Sequence, residues 1–375
     1  MASAEIITIG TEILLGEIVD TNTRYLARSL RGLGVDLYRT ITIGDNVERI
    51  ASAIRDSMER AEIILTTGGL GPTVDDPTRE AVAHAVGVET EFREDLWQQV
   101  VAVIARYGRG PAENQKRQAY VPSGALAISN PVGTAPAFIV ETERNAIICL
   151  PGVPKEMEYL LHESVIPYLQ KRFDLHEVIK VRLLHTSGMG EGMIDEKIGD
   201  LETLSNPTVG LAAHNGVVDI RLAAKAETER EADRMMAEVE ADIRERLGQV
   251  VFGADEETLD AVTLAAVRHQ GWTLTCVELG LSESMQRLLP NLISLAELRQ
   301  GMLIEELRKA LNTSSANSAL GVACYTDEMA AELAIITPRG EKSMRITYGG
   351  HPRNLPRWAF NNGLNLLRLQ AEAGG

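Results

Sequence analysis

Short apolar runs alternate with helix-like segments over the first 170 residues. Between the first three runs, residues 21–34 and 47–61 place apolar side chains three or four positions apart, as an amphipathic helix does. Except for part of the second, the runs are rich in Ile, Val and Thr and are nearly all apolar, which is typical of strands covered on both faces. This alternation predicts βαβ units and a mostly parallel sheet. The four strand-like runs are residues 5–10, 35–44, 62–69 and 145–152.

The pattern changes near residues 172–180. Residues 206–226 read as a β-hairpin, and residues 227–248 form a long charged segment with helical periodicity. A strand, a glycine-rich turn and a short helix precede the hairpin, so the sequence predicts a small α+β domain. The predicted apolar seam of the long helix consists of Ala232, Met235, Met236, Val239, Ile243 and Leu247.

A third region starts with a helical pattern at residues 257–271 and continues through mixed elements. A chain of 375 residues is too long for one ordinary hydrophobic core, so more than one domain is expected. We place the domains at residues 1–171, 172–253 and 254–375.

Composition and charge narrow the class of protein. The formal net charge is −16 and aromatic residues make up 4% of the chain, which disfavours a nucleic-acid platform. The three cysteines, Cys149, Cys276 and Cys324, are far apart, as expected in a reducing compartment. No secretion signal or membrane-length apolar run is recognisable. The sequence predicts a soluble cytoplasmic protein without membrane or nucleic-acid partners.

Polar and glycine residues follow each of the four predicted strands of the first domain. In an open parallel sheet, ligands bind beyond the carboxyl ends of the strands, so these residues are expected to converge. The candidate site residues are Gly10, Glu12, Asp20, Asn22, Asp45, Thr67, Gly68, Gly69, Gly71, Asp76, Thr78, Pro151, Gly152 and Glu156.

The loop at residues 66–83, TTGGLGPTVDDPTREAVA, carries the most specific chemistry. Gly68 and Gly69 allow positive φ and a close approach to a ligand. Asp75 or Asp76 is predicted to cap the following helix, with Pro77 in its first position, and the exposed amides there favour a phosphate. A carboxylate beside a phosphate is repulsive without a cation, so Asp76 predicts Mg²⁺ or a similar hard metal.

Structural alternatives remain open at each of these positions. The aspartates of the loop are also compatible with routine helix capping. Glu12 and Asp20 are compatible with solvated loop carboxylates, and Asp45 with a strand-ending turn. The loop contains neither a Walker A motif nor GxGxxG.

The same motifs carry a family resemblance. TGGLGPTVDDPTREA resembles the signature of the molybdopterin-binding fold found in MoaB- and MogA-type proteins and in the gephyrin G domain. IGTEILLGEIVDTNTRYLA, VGTAPAF and LPGVPKEM are similar to the CinA (competence/damage-inducible protein A) family over the first 170 residues. SGMGEGMIDEKI and NPTVGLAAHNGVVDIRL resemble the KH-like domain of the same family.

The resemblance implies an α/β protein, usually a homodimer, with a three-layer αβα first domain, a KH-like middle domain and a CinA-type third domain. It implies that the first domain hydrolyses the pyrophosphate of a nucleotide such as ADP-ribose with Mg²⁺, Mn²⁺ or Co²⁺. Asp76, Asp45 and Glu12 would be catalytic, with Asp76 and Asp45 holding the metal and the other candidates contacting the ligand. Ala137 departs from the family, which usually has glycine there, and its methyl group is expected to narrow the pocket.

The third domain departs further from the family. CinA proteins carry a nicotinamide mononucleotide deamidase signature, Glu-Ser-Cys-Thr-Gly-Gly. Here Glu278 matches its first position, but Leu279 replaces the serine nucleophile, and Ser282 and Glu283 replace the glycines. Because an aliphatic side chain cannot attack an amide, we predict that the deamidase activity is lost.

Two other functions remain open. The chain is also compatible with a non-catalytic molybdopterin- or nucleotide-binding protein, or with a regulatory scaffold whose third domain senses a pyridine nucleotide. For the middle domain, nine Lys/Arg against fifteen Asp/Glu over residues 175–253 favour a structural or dimerising role over nucleic-acid binding.

Overall fold

The computed structural model describes residues 2–106, 108 and 110–373. The chain divides into two compact units. The first contains the residues up to Lys180 together with Lys225–Ala232, and the second contains Val181–Ala224 together with the residues from Asp233 onward. The three domain boundaries drawn from the sequence stay predictions.

A six-stranded sheet forms the centre of the first unit. Its strand order is β2-β1-β3-β8-β7-β6. The first four strands in this order are parallel, whereas β7 and β6 pair antiparallel at one edge. A separate two-stranded ribbon joins β4 and β5. The strands are β1 Ser3–Ile9, β2 Asp36–Ile43, β3 Ile63–Thr67, β4 Thr90–Phe92, β5 Tyr120–Pro122, β6 Leu126–Ile128, β7 Ala137–Glu141 and β8 Ala146–Leu150.

Helices cover both faces of this sheet. Because side chains alternate along a strand, β1 places Ala4 and Ile6 in one core and Ile7 and Ile9 in the other. The first core includes side chains of α2, α6 and α7, and the second includes side chains of α3, α4 and α5. The predicted three-layer αβα architecture is therefore confirmed. The helices are α1 Thr11–Leu14, α2 Thr21–Gly32, α3 Val47–Met58, α4 Thr78–Val86, α5 Glu94–Ala105, α6 Pro154–Leu160 and α7 Ile166–Phe173.

The middle segment of the chain forms a second, four-stranded sheet in the order β10-β11-β9-β12. The predicted hairpin is confirmed, since β10 and β11 pair antiparallel. The apolar seam of α9 is confirmed too: Ala232, Met236, Ile243 and Leu247 are buried. The elements are β9 Val178–Ser187, α8 Glu191–Glu202, β10 Thr208–His214, β11 Val217–Ala226, α9 Glu229–Leu247 and β12 Val251–Ala254.

The C-terminal segment contains a five-stranded sheet in the order β14-β13-β15-β16-β17. Side chains of α10 and α13 pack on one face of this sheet and those of α12 on the other. The elements are α10 Leu259–His269, β13 Leu274–Leu279, α11 Glu283–Gln286, β14 Leu292–Ser294, α12 Leu303–Thr313, β15 Ser318–Tyr325, β16 Ala330–Thr337, β17 Gly340–Thr347 and α13 Leu355–Glu372. Within the described ranges, no helix is both long enough and apolar enough to cross a membrane.

Candidate functional site

The loops after β1, β2, β3 and β8 enclose a cleft of about 500 Å³ at the carboxyl ends of these strands. This is the place that the parallel topology predicts for a ligand. Thirteen of the fourteen candidate residues line the cleft: Gly10, Glu12, Asp20, Asn22, Asp45, Thr67, Gly68, Gly69, Gly71, Asp76, Pro151, Gly152 and Glu156. Thr78 does not line it.

The glycine pair after β3 has the backbone conformation that the sequence predicts. Gly68 has a φ of 106° and Gly69 a φ of 64°. A Cβ on Gly68 would lie 2.1 Å from the carbonyl oxygen of Ile9, so only glycine lets the loop run this close to β1. The loop backbone therefore forms part of the floor of the cleft.

Helix α4 supports this loop from below. The buried Thr78 hydroxyl donates a hydrogen bond to the Gly68 carbonyl at 2.8 Å. Arg79, which is 4% exposed, donates to the carbonyls of Leu70 at 2.6 Å and Gly71 at 3.2 Å. Burial lowers the pKa of the Arg79 guanidinium to about 10, against the opposing effect of the Asp76 charge. Thr78 and Arg79 thus position the loop.

The predicted capping of α4 is wrong. The helix begins at Thr78, Pro77 occupies the N-cap position, and no side chain caps it. The Asp76 carboxylate instead turns back, where its Oδ2 accepts hydrogen bonds from the backbone amide of Thr73 at 2.9 Å and from the Thr73 hydroxyl. The Asp76 carboxylate is thus engaged in a local turn with Thr73 and does not accept from the first amides of the helix.

Asp45 is held in the same way on the other side of β1. Its Oδ2 accepts hydrogen bonds from the Thr11 amide at 2.9 Å and the Thr11 hydroxyl at 2.7 Å. In both Asp45 and Asp76, the described part of the chain donates no hydrogen bond to Oδ1. Each carboxylate therefore has one oxygen to offer a ligand or cation.

The side chains alone do not complete a metal site. No group of three or more His, Cys, Asp or Glu side chains within the described residues is arranged to hold an ion. Mg²⁺ is commonly bound by one or two carboxylates, with waters and substrate phosphates filling the other positions. Asp45 and Asp76 each leave one oxygen open to such an ion, and the described residues form no all-protein cage.

Two other predicted carboxylates have different surroundings. Asp20 caps α2, since its Oδ1 accepts from the Thr23 amide at 2.9 Å and its Oδ2 from the Thr23 hydroxyl at 2.5 Å. Glu12 is exposed, and its Oε1 is 2.6 Å from where a Cβ on Gly10 would stand. Asp20 thus has a structural role beside the ligand contact that the sequence predicts.

A hydrogen-bond network joins three of the loops. The Asn22 side-chain amide donates to the Thr67 hydroxyl at 3.0 Å and to the Gly152 carbonyl at 2.9 Å. The Thr67 hydroxyl in turn donates to the Pro151 carbonyl at 3.0 Å. Among the described residues, none donates a hydrogen bond to the buried Oδ1 of Asn22.

Sequence reasoning missed the polar side chains next to Glu156. Asn130 is fully buried and donates to Glu156 Oε2 at 2.6 Å. Gln118 and Thr134 line the cleft and share a hydrogen bond of 3.2 Å. Burial raises the pKa of Glu156, and the Asn130 hydrogen bond opposes this only in part. None of the missed residues follows a strand that the sequence predicts, so no strand-end pattern could have found them.

Most of the cleft has an acidic lining. Among the described residues that line it, none is Lys, Arg or His. Arg79, the nearby cation on α4, lies buried beneath the loop and does not reach the cleft. Ala137 does not line it either; it lies buried in β7, so the expectation that its methyl group narrows the pocket is wrong. The six lining carboxylates belong to Glu12, Asp20, Asp45, Asp75, Asp76 and Glu156.

The degenerate signature of the C-terminal region lies at the end of β13. Glu278 is 2% exposed, and its carboxylate accepts hydrogen bonds from the Leu281 amide and the Gln286 side chain, both at 2.9 Å. Leu279 is the last residue of β13. The hydroxyls of Ser282 and Ser284 contact each other at 3.0 Å. Both carboxylate oxygens of Glu278 are thus engaged in holding the local turn.

Family models match two parts of the chain. Residues 5–171 match a family described as "Probable molybdopterin binding domain", and residues 181–253 match "Damage-inducible protein CinA KH domain". These matches confirm the predicted fold types of the first and middle regions.

Relatives match over longer stretches. A CinA-like protein of Kosmotoga olearia is 39% identical over 276 residues, covering 73% of this chain and 66% of that protein. A relative from Geobacillus kaustophilus, named for competence and damage induction, is 36% identical over 326 residues, covering 87% of this chain and 74% of its own length. A crystal structure of a CinA protein of unknown function from Thermoplasma acidophilum is 34% identical with a TM-score of 0.41, covering 46% of this chain and 97% of that one.

Proposed function

This chain belongs to the CinA family, and on that premise we propose that its first domain hydrolyses the pyrophosphate bond of a nucleotide such as ADP-ribose with a divalent metal. Water would add to one phosphorus as the P–O–P bond breaks, giving AMP and ribose 5-phosphate. The chain spans about two thirds of the length of the first relatives that it matches. Both the activity and the substrate are therefore proposed for it.

The acidic lining of the cleft supports the metal requirement. A diphosphate entering a cleft with six carboxylates and no basic side chain among its described lining residues would be repelled. A divalent cation between the two removes this repulsion. We therefore expect the ligand to bind as a metal complex, with Mg²⁺, Mn²⁺ or Co²⁺ as the candidate ions.

Different residues of the cleft would bind the metal, contact the phosphate and take part in catalysis. Asp45 and Asp76 would hold the cation through the Oδ1 atoms that their threonine partners leave open. The Gly68 amide already donates to the Leu150 carbonyl at 3.1 Å, so the backbone amide that would meet a phosphate here is that of Gly69. When bound, the metal would neutralise phosphate charge and lower the pKa of a coordinated water. Glu12 is the further carboxylate that the sequence predicts to be catalytic.

The test is hydrolysis of ADP-ribose by purified protein with and without each metal, for Asp76→Asn and for a control. Asparagine keeps the acceptor that holds Thr73, so the loop stays in place, but it removes the charge that attracts the cation. We expect AMP production to require metal and to fall by about 100-fold or more in Asp76→Asn, as is typical when an electrostatic catalytic group is removed. Asp56→Asn, on the exposed side of α3, is the matched control and should keep full activity.

The same assay separates the alternatives. Turnover without metal, or full activity of Asp76→Asn, would contradict the proposal. Metal-dependent binding without turnover would favour the second candidate, a binding protein, for which the match to a molybdopterin-binding family is the supporting observation. Nicotinamide mononucleotide is included as a second substrate. Because Leu279 carries no nucleophile, no ammonia release is expected from it, and release above background would show that the deamidase activity persists.

A further inference from the structure

One corner of the cleft is built from neutral amides and a single carboxyl group. We propose that Asn22, Gln118 and Glu156 form a subsite for the vicinal hydroxyl groups of a sugar, a ribose if the proposed function holds. This inference rests on the proposed function, because ribose is the sugar that its substrate would present. No phosphate contact is assigned to this corner.

The first acceptor of the corner is fixed in orientation. The Nδ2 of Asn22 lies 2.9 Å from the Gly152 carbonyl, which can only accept a hydrogen bond. The amide therefore cannot be turned around, and its oxygen is the atom left over. This Oδ1 is buried without a donor, an arrangement that is unfavourable by about 1–3 kcal/mol unless a ligand or water supplies one.

The second acceptor is held by Asn130. The Nδ2 of Asn130 donates to the Ala135 carbonyl at 2.9 Å and to Glu156 Oε2 at 2.6 Å, while its Oδ1 accepts from the Val132 amide at 3.1 Å. Gly133 lies directly against this carboxyl group, where a Cβ would be 2.0 Å from Glu156 Cδ. The described residues donate nothing to Glu156 Oε1, which leaves that oxygen to accept from a ligand.

Gln118 completes the corner. It is 1% exposed, and its Nε2 lies 3.2 Å from the Thr134 hydroxyl. Its Oε1 is buried and has no hydrogen-bond partner in the described part of the chain. A threonine hydroxyl can donate as well as accept, so this amide can present either its oxygen or its nitrogen to the cleft. Gln118 can therefore pair with a hydroxyl group in either sense.

The chemistry of the corner favours hydroxyl groups over phosphate. Its fixed groups are acceptors, one of them a carboxyl, and a phosphate has no proton to donate to them at neutral pH. An acidic side chain that accepts from ribose hydroxyls, and excludes a phosphorylated ribose, is the arrangement used in dinucleotide-binding folds. Burial disfavours the charged form of Glu156, and hydroxyl groups that donate to its Oε1 would offset part of that cost.

The position of the corner suits such a ligand. Asp45 follows β2 and Glu156 follows β8, and two strands separate β2 from β8 in the sheet. Three strand spacings place the starts of these loops about 14 Å apart. A diphosphate near the aspartates would then leave a sugar within reach of Glu156.

The experiment is calorimetric binding of the non-hydrolysable α,β-methylene analogue of ADP-ribose in the presence of Mg²⁺. It is compared with analogues that lack the 2′-hydroxyl or carry a 2′-phosphate, on the adenosine ribose or on the terminal ribose in turn. In the wild type, both changes at the contacted ribose should weaken binding by about 10-fold or more. In Glu156→Gln and Gln118→Ala, the parent analogue should bind more weakly than it does to the wild type. Removing the 2′-hydroxyl should then lower the affinity of each variant by less than about 3-fold.

The possible results distinguish a wrong subsite from a wrong proposed function. Glu156→Gln keeps the acceptor that Asn130 needs, so a thermal melt should show that it folds. If removal of the 2′-hydroxyl weakens binding equally in the wild type and in both variants, the subsite is wrong, while the proposed function is unaffected. Wild-type protein that binds no parent analogue in Mg²⁺ would overturn both. The ribose at which the loss occurs identifies which end of the nucleotide lies in the corner.

Discussion

At the scale of single residues, most of the cleft could be predicted from the residues that follow the carboxyl ends of the predicted strands. Gly68, Asp45 and Glu156 were found because each follows a strand closely, where topology leaves little choice of position. Asn130 and Arg79 were not, because their roles depend on backbone carbonyls and a carboxyl group that only folding brings near. Asp76 was found for its charge, but its hydrogen bond to Thr73 in place of a helix cap followed from local geometry that the motif does not specify.

Glu156 provides a test of residue-scale electrostatics. Burial raises its pKa above the ordinary 4.5, so above pH 4.5 the unfolded chain loses this proton before the folded protein does. Folding stability therefore falls as pH rises from 4.5 through the raised pKa. Glu156→Gln cannot ionise, and we expect its melting temperature to exceed that of the wild type at pH 7.

Thermal melts from pH 4 to pH 8 measure this effect. At pH 4 the two proteins should melt together, because Glu156 is then protonated in both states. The exposed Glu163→Gln on the same helical stretch is the control and should track the wild type throughout. A variant less stable than wild type at pH 7 would show that the ionised Glu156 stabilises the fold.

At the scale of elements, four strands of the first sheet were predicted within a few residues of their ends, because each run is mostly apolar and ends at a glycine. The antiparallel strands β6 and β7 were not predicted. Leu126–Ile128 is only three residues long, too short for a period to show. Their pairing comes from the edge of an existing sheet, which is tertiary information.

The support of the cleft loop by α4 leads to an element-scale prediction. Thr78→Val keeps the shape of the side chain but leaves the buried Gly68 carbonyl without its donor. We expect the free energy of unfolding to fall by about 1–3 kcal/mol and the methylene analogue of ADP-ribose to bind more weakly. Urea denaturation measures the first effect and calorimetry the second.

Thr203→Val is the matched control for this prediction. Its hydroxyl also donates to a backbone carbonyl, that of Asp200 at 2.7 Å, but it is exposed, and water can replace the bond. Its stability should change by less than about 0.5 kcal/mol. Similar losses in the two variants would mean that burial of the Gly68 carbonyl is not what matters.

At the scale of the whole molecule, length and periodicity predicted an α/β chain with several cores. What they did not reveal is the division into units, in which Lys225–Ala232 joins the first unit although the residues on either side belong to the second. Contacts between distant parts of the chain decide such a division, and no local pattern encodes them. The homodimer implied by the family resemblance stays a prediction.

The charge of the whole chain and one loop of the middle region predict no nucleic-acid binding. The net charge is −16, and the largely exposed glycine-rich loop at residues 188–192 carries the acidic Glu191 and no basic side chain. Fluorescence anisotropy with labelled single-stranded DNA and RNA should show no binding at 0.15 M salt. Saturable binding that weakens as salt rises would contradict this.

The acidic lining of the cleft also has a consequence for inhibitor chemistry. A competitor that copies the charged diphosphate would depend on the same cation as the substrate and would lose potency when a chelator removes it. A linker that replaces the diphosphate with an uncharged isostere has no such dependence, because it meets the six carboxylates without repulsion. Compounds of this second kind should keep their binding affinity in EDTA, which calorimetry can measure although hydrolysis itself is expected to stop without the metal.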